Sequence, residues 1–228
     1  MRFLSLCAAV MLCFLHAVTP LHAADKDGWT DMFDGKTLNG WKQAEHGTAK
    51  YEVVDGTILG TTVEGSPNSF LASEKQYGDF ELEFDVKVQD ELNSGVQIRS
   101  RGKMKEDAGP NGEGLGVFHG PQVEIDAKSG QAAFIYGEST KFGWLSPEPT
   151  AKPEGHKFFK GGDWNHYRIV AKGARIQTFL NDHPVADLTH EEIYKTHPKG
   201  HIGLQVHGIA KGSGPYHVSW KNIRIREM

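Results

Sequence analysis

The sequence predicts an all-β protein, an antiparallel β-sandwich or jelly roll, and three observations lead there. Apolar and polar residues alternate with period two in many short segments. Turn signals separate those segments, and helical periodicity is nearly absent, so no helix is available to cover a parallel sheet.

The first 23 residues are set apart from this pattern. Arg2, an apolar run from Phe3 to Leu15 and the small-residue ending at Ala23 follow the logic of a secretory signal peptide. The run is shorter than the roughly 20 residues that span a bilayer. Cleavage after Ala23 is expected, giving an exported protein, periplasmic or extracellular, with no membrane span. Cys7 and Cys13 fall within that leader, so residues 24–228, read as one domain, need no disulfide. Leu12 before Cys13 is a poor match to a lipidation site.

The formal charge of −4 becomes one unit more negative when Arg2 leaves. With no basic tract to offset it, nucleic acid is excluded as an expected partner.

Along the chain, Tyr51 to Val54 and Thr57 to Gly60 flank Asp55-Gly56, a pair suited to a two-residue hairpin turn. Phe80 to Val88 alternates five apolar residues with four charged ones, whose side is expected to be merely solvated. Further strands are expected at Ala132 to Tyr136, Trp164 to Ala171, Ala174 to Leu180, Val185 to Leu188, His201 to His207 and Val218 to Ile225. His190 to Lys195 fits one helical turn. The glycine-rich stretch Gly102 to Gly120 and the stretch Lys141 to Gly162 read as long loops, which in a compact domain are commonly functional.

Three segments have an unusual design: Val96-Gln97-Ile98-Arg99, Gln122-Val123-Glu124-Ile125-Asp126 and Leu204-Gln205-Val206-His207. Strand side chains alternate between faces, so Val96, Ile98, Val123, Ile125, Leu204 and Val206 can enter one core. The opposite faces then present Gln97, Arg99, Gln122, Glu124, Asp126, Gln205 and His207. A solvated face is normally rich in lysine, serine and threonine. This one has amides that can bind a polyhydroxylated ligand and ionisable groups that can move a proton. Trp144 adds an indole face suited to a pyranose, with core packing as its alternative.

Other signals carry less. Asp27, Asp31, Asp34, Asp85, Glu81 and Glu83 read as solvated charge. Gly112-Glu113-Gly114-Leu115-Gly116 fails the dinucleotide pattern, and His190-Glu191-Glu192-Ile193-Tyr194 lacks a zincin's second histidine. His119, His207, Glu124 and Asp126 repeat no metal-ligand spacing, so neither metal nor cofactor is expected.

Five stretches together resemble the 3-keto-disaccharide hydrolase family: Phe33-Asp34-Gly35-Lys36-Thr37-Leu38-Asn39-Gly40-Trp41, Asn93-Ser94-Gly95-Val96, Gly162-Asp163-Trp164-Asn165, Gly203-Leu204-Gln205-Val206-His207 and Asn222-Ile223-Arg224-Ile225. The resemblance covers the mature chain in order. It implies a concanavalin A-like sandwich and action on glycosides oxidised at carbon 3, hence dependence on a separate glycoside 3-oxidoreductase. Many relatives carry Glu, apolar, Gln, apolar where this chain has Gln122-Val123-Glu124-Ile125, which leaves the identity of the base open.

A ketone at C3 acidifies the C2 hydrogen, so the glycosidic bond can break by proton abstraction and elimination, with or without later hydration. Ordinary glycoside hydrolysis needs two carboxylates instead. On this reading Glu124 is the general base, with an ion pair to Arg99 as its alternative role. Arg99 would hold the enolate oxygen, and His207 would protonate the leaving group. Gln97, Gln122, Gln205, Asp126 and Trp144 would bind substrate, although Asp126 also suits a turn cap. The competing reading is a lectin-like carbohydrate-binding module without catalysis, since fold does not fix function. An interaction domain ranks below both.

Overall fold

The computed structural model describes residues 24–110, 113–128, 130–146 and 157–228. The expected leader, with Cys7 and Cys13, lies outside the described residues, as do residues 147–156 of the second long loop.

Two antiparallel sheets face each other. One has the strand order β13-β12-β11-β6-β15-β4-β3, with the short β1 (Thr30–Asp31) paired to β15. Its members are β3 (Lys50–Val54), β4 (Thr57–Thr61), β6 (Phe80–Val88), β11 (Asn165–Lys172), β12 (Arg175–Leu180), β13 (His183–Thr189) and β15 (His217–Glu227). The other sheet runs β10-β9-β8-β7-β14-β5-β2. It comprises β2 (Trp41–Gln43), β5 (Ser69–Ser73), β7 (Ser94–Gly102), β8 (Phe118–Ile125), β9 (Ile135–Glu138), β10 (Gly143–Trp144) and β14 (His201–Val206). One helix, α1 (Glu191–Thr196), lies where a single turn is expected. The architecture is the predicted β-sandwich.

Alternation explains the core. Leu82, Phe84 and Val86 of β6 meet Val96, Ile98, Val123, Ile125 and Leu204 of the second sheet, all of them fully buried. Each such side chain contributes about 1.5–3 kcal/mol by leaving water. Asp55 and Gly56 both have positive φ, as the tight β3–β4 turn requires. Tyr167 stacks on Phe84 within the core, and its hydroxyl donates to the Glu124 carbonyl oxygen at 3.3 Å, tying the first sheet to β8.

Several expectations change. The charged side of β6 is not simply solvated: Glu81 accepts from Arg168 and Arg226, Glu83 from Arg224, and Asp85 pairs with His166 and Asn222. This ladder of cross-strand pairs is the charged form of strand-pair stabilisation. The first long loop is shorter than expected, because β7 runs to Gly102 and β8 begins at Phe118. Ala132 and Ala133 belong to the turn before β9, with Ala133 at positive φ. The short strands β1, β2, β5 and β10 escape prediction because two to five residues show too little alternation to register.

Candidate active site

The site sits on the outer face of the second sheet, where β9, β8, β7 and β14 lie side by side. With Val123 and Ile125 pointing inward, Gln122 and Glu124 must point outward. The same rule turns Gln205 out of β14, Tyr136 and Glu138 out of β9, and Trp144 out of β10. A cavity of about 270 Å³ results, lined by Asn93, Gln122, Glu124, Gln131, Tyr136, Glu138, Trp144, Gln205 and His207.

Glu124 is its most unusual group. Its side chain is buried, 5 % exposed. Burial, with the charges of Glu138 and Asp126 adding to it, pushes the carboxyl up to about 7. Two amides pull the other way: Gln122 Nε2 donates to Oε1 at 2.8 Å, and Asn93 Nδ2 donates to Oε2 at 3.4 Å. A carboxyl poised near neutrality in a cavity can accept or release a proton under ordinary conditions.

Gln122 reaches Glu124 because Gly95, its diagonal neighbour on β7, has no side chain. A methyl there would come within 2.7 Å of Gln122 Cγ and Cδ. Gln122 and Glu124 are two residues apart on one strand face, so exchanging amide and carboxylate relative to the resembled pattern keeps both groups in the same cavity.

Around this pair lie buried amide atoms with nothing to bind. Gln205 Nε2 and Oε1 and Gln122 Oε1 have no hydrogen-bond partner among the described residues. An unmade bond to such a group costs roughly 1–3 kcal/mol, and a ligand bearing hydroxyls would supply the missing bonds. At the rim, His207 Nδ1 donates to the Gly208 carbonyl oxygen at 2.7 Å, which leaves Nε2 as the acceptor. Trp144 meets Tyr136 edge to face, with ring centroids 5.1 Å apart.

Of the residues singled out in the sequence, Gln122, Glu124, Gln205, His207 and Trp144 converge here. Gln97 shares the sheet face opposite Gln122 but does not line the cavity; it is fully buried, its amide also unpartnered among the described residues. Asp126 stands beside the cavity: Oδ1 caps the Lys128 N–H at 2.6 Å, and Oδ2 accepts from Asn93 at 3.2 Å. Its placement is that of a turn cap orienting Asn93 rather than of a group facing substrate.

Arg99 is a correction. Its expected place on the same outer face as Glu124 assumed unbroken alternation, but β7 bulges between Gln97 and Arg101, and Arg99 takes a φ of 50°. The bulge redirects the side chain. The guanidinium donates to the carbonyl oxygens of Gly78 (2.7 Å) and Gly173 (2.6 Å) and to Asp79 Oδ1 (2.9 Å). It therefore fastens β7 to turns of the opposite sheet, and neither an enolate clamp nor an ion pair with Glu124 is available to it. Asn93, Gln131, Tyr136 and Glu138 were missed. Tyr136 and Glu138 had a legible signal, the alternation of Ile135-Tyr136-Gly137-Glu138, and Asn93 opens one of the stretches that carry the family resemblance; Gln131 had none.

No group of three or more metal-ligating side chains is gathered anywhere among the described residues. A model of the 3-keto-alpha-glucoside-1,2-lyase-like domain matches residues 28–226, nearly all of the chain beyond the expected leader. The chain belongs to this family. That family is named for a lyase acting on 3-keto-alpha-glucosides. A 3-keto-disaccharide hydrolase of Bacteroides thetaiotaomicron is 27% identical over 184 residues, covering 72% of this chain. The chain spans only 59% of that relative's length.

Among solved structures, a Parabacteroides distasonis protein provisionally named a glycosyl hydrolase matches with a TM-score of 0.59 and 20% identity, over 89% of this chain and 94% of its own. The carbohydrate-binding module CBM66 of Bacillus subtilis matches with a TM-score of 0.55 and 16% identity, over 82% of this chain and 95% of its own. At these identities the likenesses speak for the sandwich fold alone.

Proposed function

We propose that this protein is an exported enzyme that cleaves the glycosidic bond of 3-keto-glycosides by elimination. One observation carries the reading: a carboxyl held near neutrality, Glu124, at a cavity where the Gln205 amide and Gln122 Oε1 have no hydrogen-bond partner among the described residues. Such a group is expensive for a protein that merely binds sugar, because a neutral amide would hold a hydroxyl without the burial penalty.

In the proposed sequence the Glu124 carboxylate removes the C2 proton that the C3 ketone has acidified. Electrons move to the ketone oxygen as an enolate, and collapse of the enolate expels the C1 substituent. His207, its Nε2 an acceptor, takes that proton over from Glu124 and delivers it to the departing oxygen. With Arg99 engaged elsewhere, the Gln205 N–H donors take over the enolate oxygen; neutral donors hold an anion less strongly than a guanidinium does. Trp144 and Tyr136 give the sugar ring an aromatic wall. The ketone itself must come from a separate glycoside 3-oxidoreductase.

Glu138 in the same cavity favours a second reading, ordinary hydrolysis by two carboxylates. One experiment separates them. The purified protein is incubated with a 3-keto-disaccharide and with its unoxidised parent, and free monosaccharide is measured. Release from the keto-sugar alone, abolished by Glu124→Gln, is expected. Cleavage of the parent would point to the two-carboxylate reading, and binding without turnover of either sugar would leave a lectin-like module.

A further inference from the structure

A larger cavity, about 780 Å³, opens where the start of β8, the tip of the β9–β10 hairpin and the end of α1 meet. Two histidines form its wall. His119 of β8 and His197, which follows α1, are each 4 % exposed and pack edge to face with ring centroids 4.7 Å apart. The Nε2 atom of each is buried without a hydrogen-bond partner among the described residues. Thr196 Oγ1 gives its own proton to the Ile193 carbonyl oxygen and so accepts from His197 Nδ1, 2.8 Å away. The His197 Nε2 therefore carries a bare lone pair. Burial first, then nearby positive charge, pushes both rings down to about 4, so both are neutral at pH 7.

The charge around them is unbalanced. Asp107 is held by two Arg101 N–H groups, and its Oδ2 stands 3.8 Å from His119 Nε2, beyond hydrogen-bond range. Lys103, Lys141 and Lys195 then outnumber the remaining acid of the lining, Glu192. This cationic surplus disfavours a metal ion. An inorganic anion without a hydroxyl, such as sulfate, is also a poor fit, because it would face an imidazole lone pair. A ligand with both a hydroxyl and a negative charge suits this lining: its O–H donates to His197 Nε2, its anion meets the lysines, and the Phe142 ring lies beside an apolar ring face.

We propose that this cavity is a second binding site that takes an acidic monosaccharide, a pyranose bearing a carboxylate. The site is separate from the one containing Glu124, and its occupancy does not depend on the reaction proposed there.

Calorimetry with glucuronate as the probe tests it, with glucose, which lacks the charge, and sulfate, which lacks the hydroxyl, as comparisons. Glucuronate should bind with a Kd on the order of 1 mM or tighter, at least about tenfold better than either comparison. The double variant Lys141→Gln/Lys195→Gln should weaken glucuronate about tenfold or more. His197→Phe, which keeps an aromatic ring and removes the acceptor, should do likewise. Nitrogen-detected NMR on the unaltered protein should show the His197 Nε2 resonance moving with glucuronate, a readout that stands even if the histidine variant does not fold. Equal affinity for sulfate, a still resonance, or binding indifferent to the lysine variants would each overturn the proposal.

Discussion

Replacing Gly95 by alanine places one methyl group 2.7 Å from Gln122 Cγ and Cδ and 2.9 Å from Nε2. Gly95 is not among the positive-φ glycines, so the backbone accepts alanine, and Gln122, the flexible partner, must move. Moving it breaks the 2.8 Å bond to Glu124 Oε1, one of the two hydrogen bonds that hold this carboxyl down against burial. A hydrogen bond to a charged group is worth about 1.5–3 kcal/mol. At about 1.36 kcal/mol per pH unit, its loss raises the Glu124 midpoint by roughly one to two units. At pH 7 the ionised fraction then falls from about a half to between about a tenth and a hundredth, a decrease of roughly 5- to 50-fold. NMR titration of ¹³C-labelled glutamate reads the midpoint directly, without substrate, and the acid limb of kcat/KM should follow it upward. A midpoint that stays still in Gly95→Ala refutes the reasoning, as does an equal shift when Gln122 is already alanine.

Glu124 binds its proton more tightly folded than unfolded, so its burial is harmless below about pH 4.5 and destabilises progressively as pH rises through about 7. Glu124→Gln should therefore stabilise the fold at pH 8 by about 1–3 kcal/mol and by much less at pH 4.5, measured by urea unfolding. His119 and His197 have the opposite sign: kept neutral down to about 4, they contribute stability that is present above pH 6.5 and lost as pH falls from there toward 4. His119→Asn or His197→Asn should flatten that acid limb in the same unfolding experiment. Arg99→Met should cost about 2–4 kcal/mol by removing the guanidinium bonds to two carbonyl groups and to Asp79, which keeps only its bond from the Gly173 N–H, yet leave the Glu124 midpoint in place. His207→Ala should lower kcat by about 10²- to 10⁴-fold, the usual worth of a proton-transfer group, with unchanged melting temperature.

The sandwich was legible because its long strands obey alternation almost without interruption. Leu82, Phe84, Val123, Ile125 and Leu204 all reach the core that their spacing assigns them. The same rule found Gln122, Glu124, Gln205 and His207, since the face opposite a buried stripe is fixed once the stripe is known. It failed at Arg99 for a definite reason: a bulge is set by how β7 meets β8 and β14 at that point, where Gly200 lies against the Arg99 backbone. Neither strand's own pattern records that meeting. Asn93, which precedes β7, and Gln131, in the turn before β9, were invisible to alternation for a related reason: loop side chains reach a site through tertiary placement, which periodicity does not encode. The two histidines of the larger cavity lie 78 positions apart, numbers 119 and 197, and no local spacing connects them.

The bond from the Tyr167 hydroxyl to the Glu124 carbonyl oxygen makes the two halves of the molecule interdependent over evolutionary time. A drift in side-chain volume around Phe84 and Tyr167, on the core side of the sheet, would tilt the strand that holds the proposed base. Lineages that retain the chemistry should therefore change that aromatic pair and its neighbours in concert, whereas lineages that have abandoned the chemistry would be free to vary them one at a time.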